Sequence, residues 1–141
     1  MEITRVKFNM LTNIGEVTRN NRVFPKEEFD KMLKSKRYKL LKDTNQLLLT
    51  LTDYCGDNYC CTRDYVNMHD VIGRVKTVNY QCATVDIDKN IYESILSVNE
   101  KSDISIYPRV IAKPEYNPTT GVTTIRDARF VSFDLFVGRK P

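Results

Sequence analysis

Apolar and polar residues alternate with a period of two along most of this chain, a pattern typical of β-strands with two different faces. The most regular alternation lies near the end of the sequence, at 128–138. It predicts one face with Phe130, Ser132, Asp134 and Phe136 and another with Val131, Phe133, Leu135 and Val137. Aromatic and aliphatic residues on both faces predict a central strand.

Further strands are predicted from similar patterns at 2–11, 14–18, 45–54, 71–80, 82–88 and 103–113. Gly73 indicates a β-bulge or a close backbone approach, and Pro108 indicates a sheet edge or a bulge. Asn20 and Asn21 predict a turn, because Asn tolerates positive φ. The segment 114–124 contains a Pro–Gly pattern and is predicted to be a hairpin tip.

Two short helices are predicted between these strands. The first starts at Pro25, carries Glu27 and Glu28 in its first turn, and should run to about Lys36. Its apolar stripe has helical spacing and consists of Phe29, Met32 and Leu33. The second should be capped by Asp88, with a buried stripe of Ile91, Ile95 and Leu96.

The predicted fold class is therefore α+β: one β-rich domain over residues 1–141, with about seven to eight mostly antiparallel strands and two short helices. A chain of 141 residues is long enough for one core. The longest apolar run, at 47–51, is strand-sized, and the N-terminus has no apolar signal segment. We therefore expect neither membrane insertion nor secretion.

Net charge is +4, which is too mild to predict a nucleic-acid groove. One basic run stands out at 34–42. It is either a solvated helix end and loop or a contact to phosphate or to an acidic protein surface. The second alternative makes a docking surface of Lys34, Lys36, Arg37, Lys39 and Lys42.

Cofactor motifs are absent from the sequence: it has no phosphate-binding glycine loop, no CxxC pair and no HExxH. Cys55, Cys60, Cys61 and His69 could be read as a zinc set, but adjacent cysteines rarely both bind one tetrahedral ion. We expect no metal, no cofactor, and free thiols.

His69 is the single histidine, so a serine or cysteine enzyme of the His-dependent type would have to use it. Ser105 and Ser132 are the serines in strand-like settings, and Asp70 and Asp134 could orient an imidazole.

The segment "GEVTRNNRVFPKEEFDKML" resembles the N-terminal part of tailed-phage prohead core proteases. The later pieces "HDVIGRVKTVNY", "ATVDID", "IYESILS", "DISIYPRV" and "ARFVSFDLFVG" follow the order of features in that family. The resemblance covers about residues 14–138. It implies a prohead-protease-like β domain and a role in head assembly.

By this resemblance, His69 would match the catalytic histidine, Ser105 the nucleophile, and Arg109 the arginine that supports the oxyanion site. Three departures argue against activity. Asp70 stands where the family has Pro, "SIYPRV" replaces roughly Ser-Ser-Arg-Gly, and no second histidine exists, so an aspartate such as Asp70 or Asp103 would have to orient His69.

We therefore expect a virion protein without catalytic activity: an auxiliary or decoration capsid subunit, made in the host cytoplasm. Its partners would be the major capsid protein or other virion proteins, and homo-oligomers are also considered. One alternative is an active maturation serine protease using Ser105, His69, Arg109 and Asp70. Another is a small phage-encoded binder of a host factor, with Tyr107, Arg109 and the basic run lining its site.

Overall fold

The computed structural model describes residues 2–52 and 65–138. The described strands are β1 (Ile3–Met10), β2 (Arg22–Val23), β3 (Leu48–Thr52), β4 (Val71–Val78), β5 (Cys82–Asp88), β6 (Ile104–Asn117) and β7 (Val122–Val137). The described α-helices are α1 (Lys26–Leu33), α2 (Lys36–Asp43) and α3 (Lys89–Val98). The turn expected around "CGDNYC" lies outside the described residues.

Six strands close into a barrel in the order β7-β3-β4-β5-β1-β6, and β6 pairs back with β7. Neighbours in the chain pair antiparallel, as in β3–β4, β4–β5 and β6–β7, and β1 also pairs antiparallel with β5. The pairs β1–β6 and β3–β7 are parallel, as is the added pair β2–β7. The β-rich domain is confirmed, but the barrel is mixed, because alternation along a strand carries no information on the direction of its neighbour.

The hydrophobic core fills the inside of this barrel. Every barrel strand contributes side chains to it, and along β1 and β5 they alternate as period-two patterning requires. The strand side chains of this core that have no measurable exposure are Leu49, Val85, Ile87, Ile106, Phe133 and Leu135. Because all six strands point one face inward, the opposite faces of the same strands form the outer surface of the barrel wall.

β7 is a central strand, as predicted, since it pairs with β6 on one side and with β3 on the other. Its two faces differ from the prediction at one residue. Strict alternation placed Phe130 with Ser132, but the register shifts at Val131, and Phe130 turns to the core side. Its ring centroid lies 5.0 Å from that of Phe133.

The first predicted helix is shorter than expected, and it is followed by a helix that the sequence did not predict. α1 ends at Leu33, and Ser35 begins α2 by accepting a hydrogen bond from the Tyr38 N–H at 3.2 Å. The same Ser35 hydroxyl donates to the Met32 carbonyl at 2.7 Å, which ends α1 locally. The expectation of two helices is therefore wrong: the described residues contain three, and the basic run at 34–42 is mostly helical.

The second predicted helix, α3, is confirmed at its start. The Asp88 carboxylate accepts a hydrogen bond from the Ile91 N–H at 3.1 Å. Ile95 is buried, as expected, but Leu96 is 38% exposed. Tyr92 packs against the core in its place.

The predicted strand at 14–18 is wrong. Val17 forms only an isolated bridge with Val23, because Gly15 has a φ of +93° and the chain turns there. The turn predicted from the asparagines is confirmed, with Asn21 at a φ of +59°.

Gly73 has the close backbone approach that its position in a strand predicted. A Cβ at this position would lie 2.3 Å from the backbone oxygen of Asp86. Pro108 lies beside the register shift of the β6–β7 pair, as one of its two alternatives predicted. The hairpin tip is shorter than predicted, because β6 continues to Asn117 and β7 begins at Val122.

Candidate functional site

A buried polar network lies on the outer face of the barrel wall, where β3, β6 and β7 are adjacent. Arg109 of β6 pairs with Ser132 of β7, and Asp134 of β7 pairs with Thr50 of β3. All four side chains are at most 2% exposed. Cross-strand partners share a face, so this network stands back to back with the core residues of the same strands.

Hydrogen bonds join these four side chains. The Arg109 guanidinium donates to the Ser132 hydroxyl from Nε at 3.2 Å and from Nη2 at 2.8 Å. Ser132 donates in turn to Asp134 Oδ1 at 3.3 Å, and Thr50 donates to the same oxygen at 2.6 Å. Arg109 Nη2 lies 3.5 Å from that oxygen and completes an ion pair. The Ser132 hydroxyl thus accepts from a buried arginine and donates to a buried carboxylate. Both charges therefore have the hydrogen-bond partners that buried charges require.

Burial sets the proton affinity of this network. It raises the pKa of Asp134 to about 6, while the hydrogen bond from Thr50 acts in the opposite direction. Burial also raises the pKa of the Tyr107 phenol, which lies directly opposite Asp134 across the β6–β7 pair. Among the residues described in this cluster, Asp134 is the group whose protonation changes near neutral pH.

Ser105, the predicted nucleophile, lies on the same strand face as Arg109 but near the start of β6. It pairs with Phe136 and with Asn9, and it has no measurable exposure. At ~3.3 Å per strand residue, its backbone is about 13 Å from that of Arg109. Within the network, the guanidinium binds the other strand serine, Ser132.

His69 and Asp70 lie in a short 3-10 helix just before β4. In the sheet, β3 separates β4 from β7. His69 is exposed, and its backbone N–H donates to the Asn67 side chain at 3.1 Å. Within the described residues its imidazole makes no hydrogen bond, so His69 and Ser105 are not bonded to each other. Asp103, the other aspartate considered, accepts the Gly138 N–H at 2.9 Å through its carbonyl. The catalytic roles of these residues remain predictions.

The five basic residues of the predicted docking surface are all exposed. They lie on α2 or directly before it: Lys34, Lys36, Arg37, Lys39 and Lys42. The Arg37 Nε donates to the Phe130 carbonyl at 2.8 Å, which fixes α2 on β7. Their binding role also remains a prediction.

The structure describes no metal site among residues 2–52 and 65–138: no three His, Cys, Asp or Glu side chains are grouped there. Cys55, Cys60 and Cys61 of the possible zinc set lie outside the described residues. Over the same ranges no helix is long and apolar enough to span a membrane.

One open cleft of about 290 Å³ lies between α1 and the β4–β5 turn. Its polar lining includes Glu16, Lys26 and Tyr80, and neither Ser105 nor His69 is part of it. The Lys26 ammonium already lies 5.1 Å from the centre of the Tyr80 ring. The cleft is thus separate from the predicted chemistry.

Sequence reasoning identified Arg109, Ser132 and Asp134 as polar residues of interest, but it missed Thr50. Nothing in "LLLTL" distinguishes a threonine that donates to a buried carboxylate from one that only follows β-propensity. The parallel pairing of β3 with β7, which brings these residues together, has no local signal either.

Comparisons with known proteins identify a shared fold. No family model and no curated protein sequence matches the chain. Among solved structures, the bacteriophage T4 capsid assembly protease, gp21, matches with a TM-score of 0.71 and 13% sequence identity, covering 95% of this chain and 81% of that one. The barrel and its helices therefore have the fold of a phage capsid assembly protease, which supports the prohead-protease-like resemblance at the level of fold.

Proposed function

We propose that this chain is a bacteriophage virion protein, an auxiliary or decoration subunit of the capsid, built on a protease-like barrel that performs no proteolysis. The likeness to a capsid assembly protease supports the phage-head context. Fold alone does not fix activity, so the chemistry must be judged from the residues.

The arrangement of the predicted catalytic residues carries this proposal. A serine protease needs its histidine within about 3 Å of the nucleophile, with the histidine held by a third group. Here the His69 ring is exposed and without a described hydrogen bond, while Ser105 is fully buried. Arg109 is held in the Ser132–Asp134 network, where it stabilises the barrel wall.

A capsid subunit of this kind works through repeated contacts. A small barrel with an exposed basic helix can bind weakly at each site and still stay attached, because a shell offers many equivalent sites. The major capsid protein or another virion protein would be its partner.

The test is to purify mature virions and to measure the copy number of this chain by quantitative mass spectrometry. We expect a copy number in fixed ratio to the major capsid protein. Absence from mature particles would contradict the proposal. Recovery of one host protein in a pull-down, without virion association, would favour the host-factor binder instead.

An active maturation protease is the second candidate. One observation favours it: Ser105 and Arg109, which the family resemblance assigns to the nucleophile and to the oxyanion site, lie on the same face of β6. It requires the His69 segment to move to Ser105 in the presence of substrate, since apo geometry does not exclude a catalytic residue.

A further inference from the structure

Three segments of the chain form the walls of the open cleft of about 290 Å³ between α1 and the β4–β5 turn. They are the loop after β1, the start of α1 and the β4–β5 turn itself. Backbone hydrogen bonds connect them. The Ile14 N–H donates to the Tyr80 carbonyl at 2.8 Å, and the Gly15 N–H donates to the Phe24 carbonyl, just before α1, at 2.8 Å. The fold therefore holds these walls in place before any ligand binds.

Contacts on two sides fix the side chain of Lys26 at this cleft. Its ammonium lies 5.1 Å from the centre of the Tyr80 ring, in a cation–π contact. Its carbon chain passes over Gly15, where an added Cβ would lie 3.1 Å from Lys26 Cγ. The Tyr80 ring is itself held, because its hydroxyl donates to the Asp30 carboxylate at 2.7 Å. A free lysine loses much side-chain entropy on binding a ligand, and these contacts reduce that cost for Lys26.

The amide side chains of the lining add hydrogen-bond donors. Asn79 Oδ1 already accepts the backbone N–H groups of Gln81 and Cys82, at 2.8 and 2.9 Å. The NH₂ group of Asn79 is therefore the half of this side chain that is left for a ligand. Gln81 lines the cleft as well and supplies a second amide. Together with Lys26, these groups suit a ligand that is an anion and a hydrogen-bond acceptor.

Glu16 adds a second requirement. It supplies the carboxylate among the described residues that line the cleft, and it accepts from the Asn13 amide at 3.5 Å. Glu16 follows Gly15, over which Lys26 passes, but within the described part of the chain Glu16 and Lys26 form no ion pair. A ligand that satisfies both must carry an anion and, close to it, an N–H donor.

We propose that this cleft binds the C-terminal residue of a polypeptide. The terminal carboxylate accepts from Lys26 and Asn79, and the backbone N–H of the same residue donates to Glu16. Capture of a terminal carboxylate is a recurring mode of peptide recognition. The size agrees, because small-molecule pockets usually have about 300–1,000 Å³ and this cleft lies at the lower limit. It is also open, so one or two residues enter and the rest of the partner chain extends outward.

The site goes beyond the proposed capsid role and does not depend on it, because every polypeptide ends in the same chemical group. A contact of one or two residues is weak, and we expect a dissociation constant of about 1–10 mM for a short peptide. On a surface with many equivalent sites, such contacts add to give stable attachment.

NMR titration of the ¹⁵N-labelled protein tests the site with defined probes. The first is acetyl-alanyl-alanine with a free carboxylate, the second is the same dipeptide with a C-terminal amide, and the third is acetate. We expect the backbone N–H signals of Gly15, Glu16 and Gln81 to shift with the first probe. The amidated dipeptide should bind about tenfold more weakly or less, because it has no charge for Lys26. Acetate should also bind more weakly, because it has no N–H for Glu16.

Variants assign the two halves of the ligand to their residues. Lys26→Met should weaken binding of the free-carboxylate dipeptide by about tenfold or more. Glu16→Ala should reduce its binding to that of acetate. Lys89→Met makes the same charge change as Lys26→Met, but at the far end of β5 from the β4–β5 turn, and should leave binding unchanged. A well-dispersed spectrum must show that each variant is folded.

Absence of shifts at the cleft signals with the free-carboxylate dipeptide at about 20 mM would overturn the proposal. Equal binding of the amidated dipeptide would overturn it too, as would unchanged binding by folded Lys26→Met. Free alanine that binds more tightly than the dipeptide would assign the cleft to amino acids instead of chain ends. These readouts use the isolated protein and small probes, so their failure leaves the virion test intact, and absence from virions leaves the cleft test intact.

Discussion

The two faces of the β3–β7–β6 wall differ in chemistry although the same strands build both. The inward face carries Leu49, Ile106 and Phe133, all with no exposure, in one apolar core. The outer face carries Arg109 and Asp134, equally buried, but joined by hydrogen bonds. The two faces are therefore equally buried. They differ in the interaction that compensates for burial: apolar packing on the inward face and hydrogen bonds on the outer face.

The inward face is stabilised by the removal of apolar surface from water, and many side chains of similar size can achieve that. The outer face is stabilised only while its donors and acceptors stay matched, because an unpaired buried charge is costly. The first face forms the hydrophobic core, and the second holds the buried polar network. Three comparisons separate these two kinds of stabilisation, and a fourth substitution lies outside both faces.

The largest effect is expected on the apolar face. Phe133→Ala should lower the free energy of unfolding by about 3–5 kcal/mol, because it leaves a cavity in the barrel. Urea denaturation followed by circular dichroism measures this. Val17→Ala, at a residue 52% exposed, is the control and should change stability little. A small loss for Phe133→Ala would mean that the barrel interior is not the core.

The polar face should respond to the loss of one partner more than to the loss of both. Arg109→Met should cost about 3 kcal/mol, since it leaves the Asp134 carboxylate buried without its cation. In the double variant Arg109→Met/Asp134→Leu the loss should be smaller than in the single one. A double variant at least as unstable as the sum of the two singles would show that the pair is not coupled.

Protonation of Asp134 gives the third comparison. Its pKa is raised from 3.8 to about 6 on folding, so the folded state binds this proton more tightly than the unfolded state. Protonated Asp134 therefore contributes to the free energy of unfolding, in full below about pH 4. This contribution, up to roughly 3 kcal/mol, is lost as the pH rises through 6. Wild type measured against Asp134→Asn over pH 4 to 7 isolates this contribution. A constant difference between the two proteins over that range would contradict the raised pKa.

A substitution outside both faces should have the smallest effect. Pro25 precedes α1 at a φ of −63°, with no side-chain cap. Pro25→Ala should cost about 0.4–1 kcal/mol, mainly through a more flexible unfolded chain. Virion association should be unchanged. A stable Pro25→Ala variant that loses virion association would show that this junction takes part in docking.

The sequence predicted what depends on local patterning. The period of two located most barrel strands. Asp88 caps α3 and Gly73 allows a close backbone approach, both as predicted from their residue types. It failed at two points: the register shift at Val131 turns Phe130 inward, and the helix that Ser35 begins was not predicted. Neither residue carries an unambiguous local signal.

The candidate site was harder to predict, because it depends on contacts between distant segments. Thr50 and Asp134 meet through a parallel pairing of β3 with β7, across 84 residues of chain. Local patterning marks each of these residues as a strand position and contains no information on their proximity. The same limit applies to the positions of Ser105 and His69.

The central proposal is that this protease-like barrel performs no proteolysis in the phage head. The most direct measurement incubates the purified chain, its Ser105→Ala variant and a Ser102→Ala control with the cognate scaffold and capsid proteins, and follows cleavage by mass spectrometry. We predict the same result for all three proteins: no new fragments, and no self-cleavage. Fragments produced by wild type and by Ser102→Ala, but not by Ser105→Ala, would contradict the account and establish Ser105 as a nucleophile.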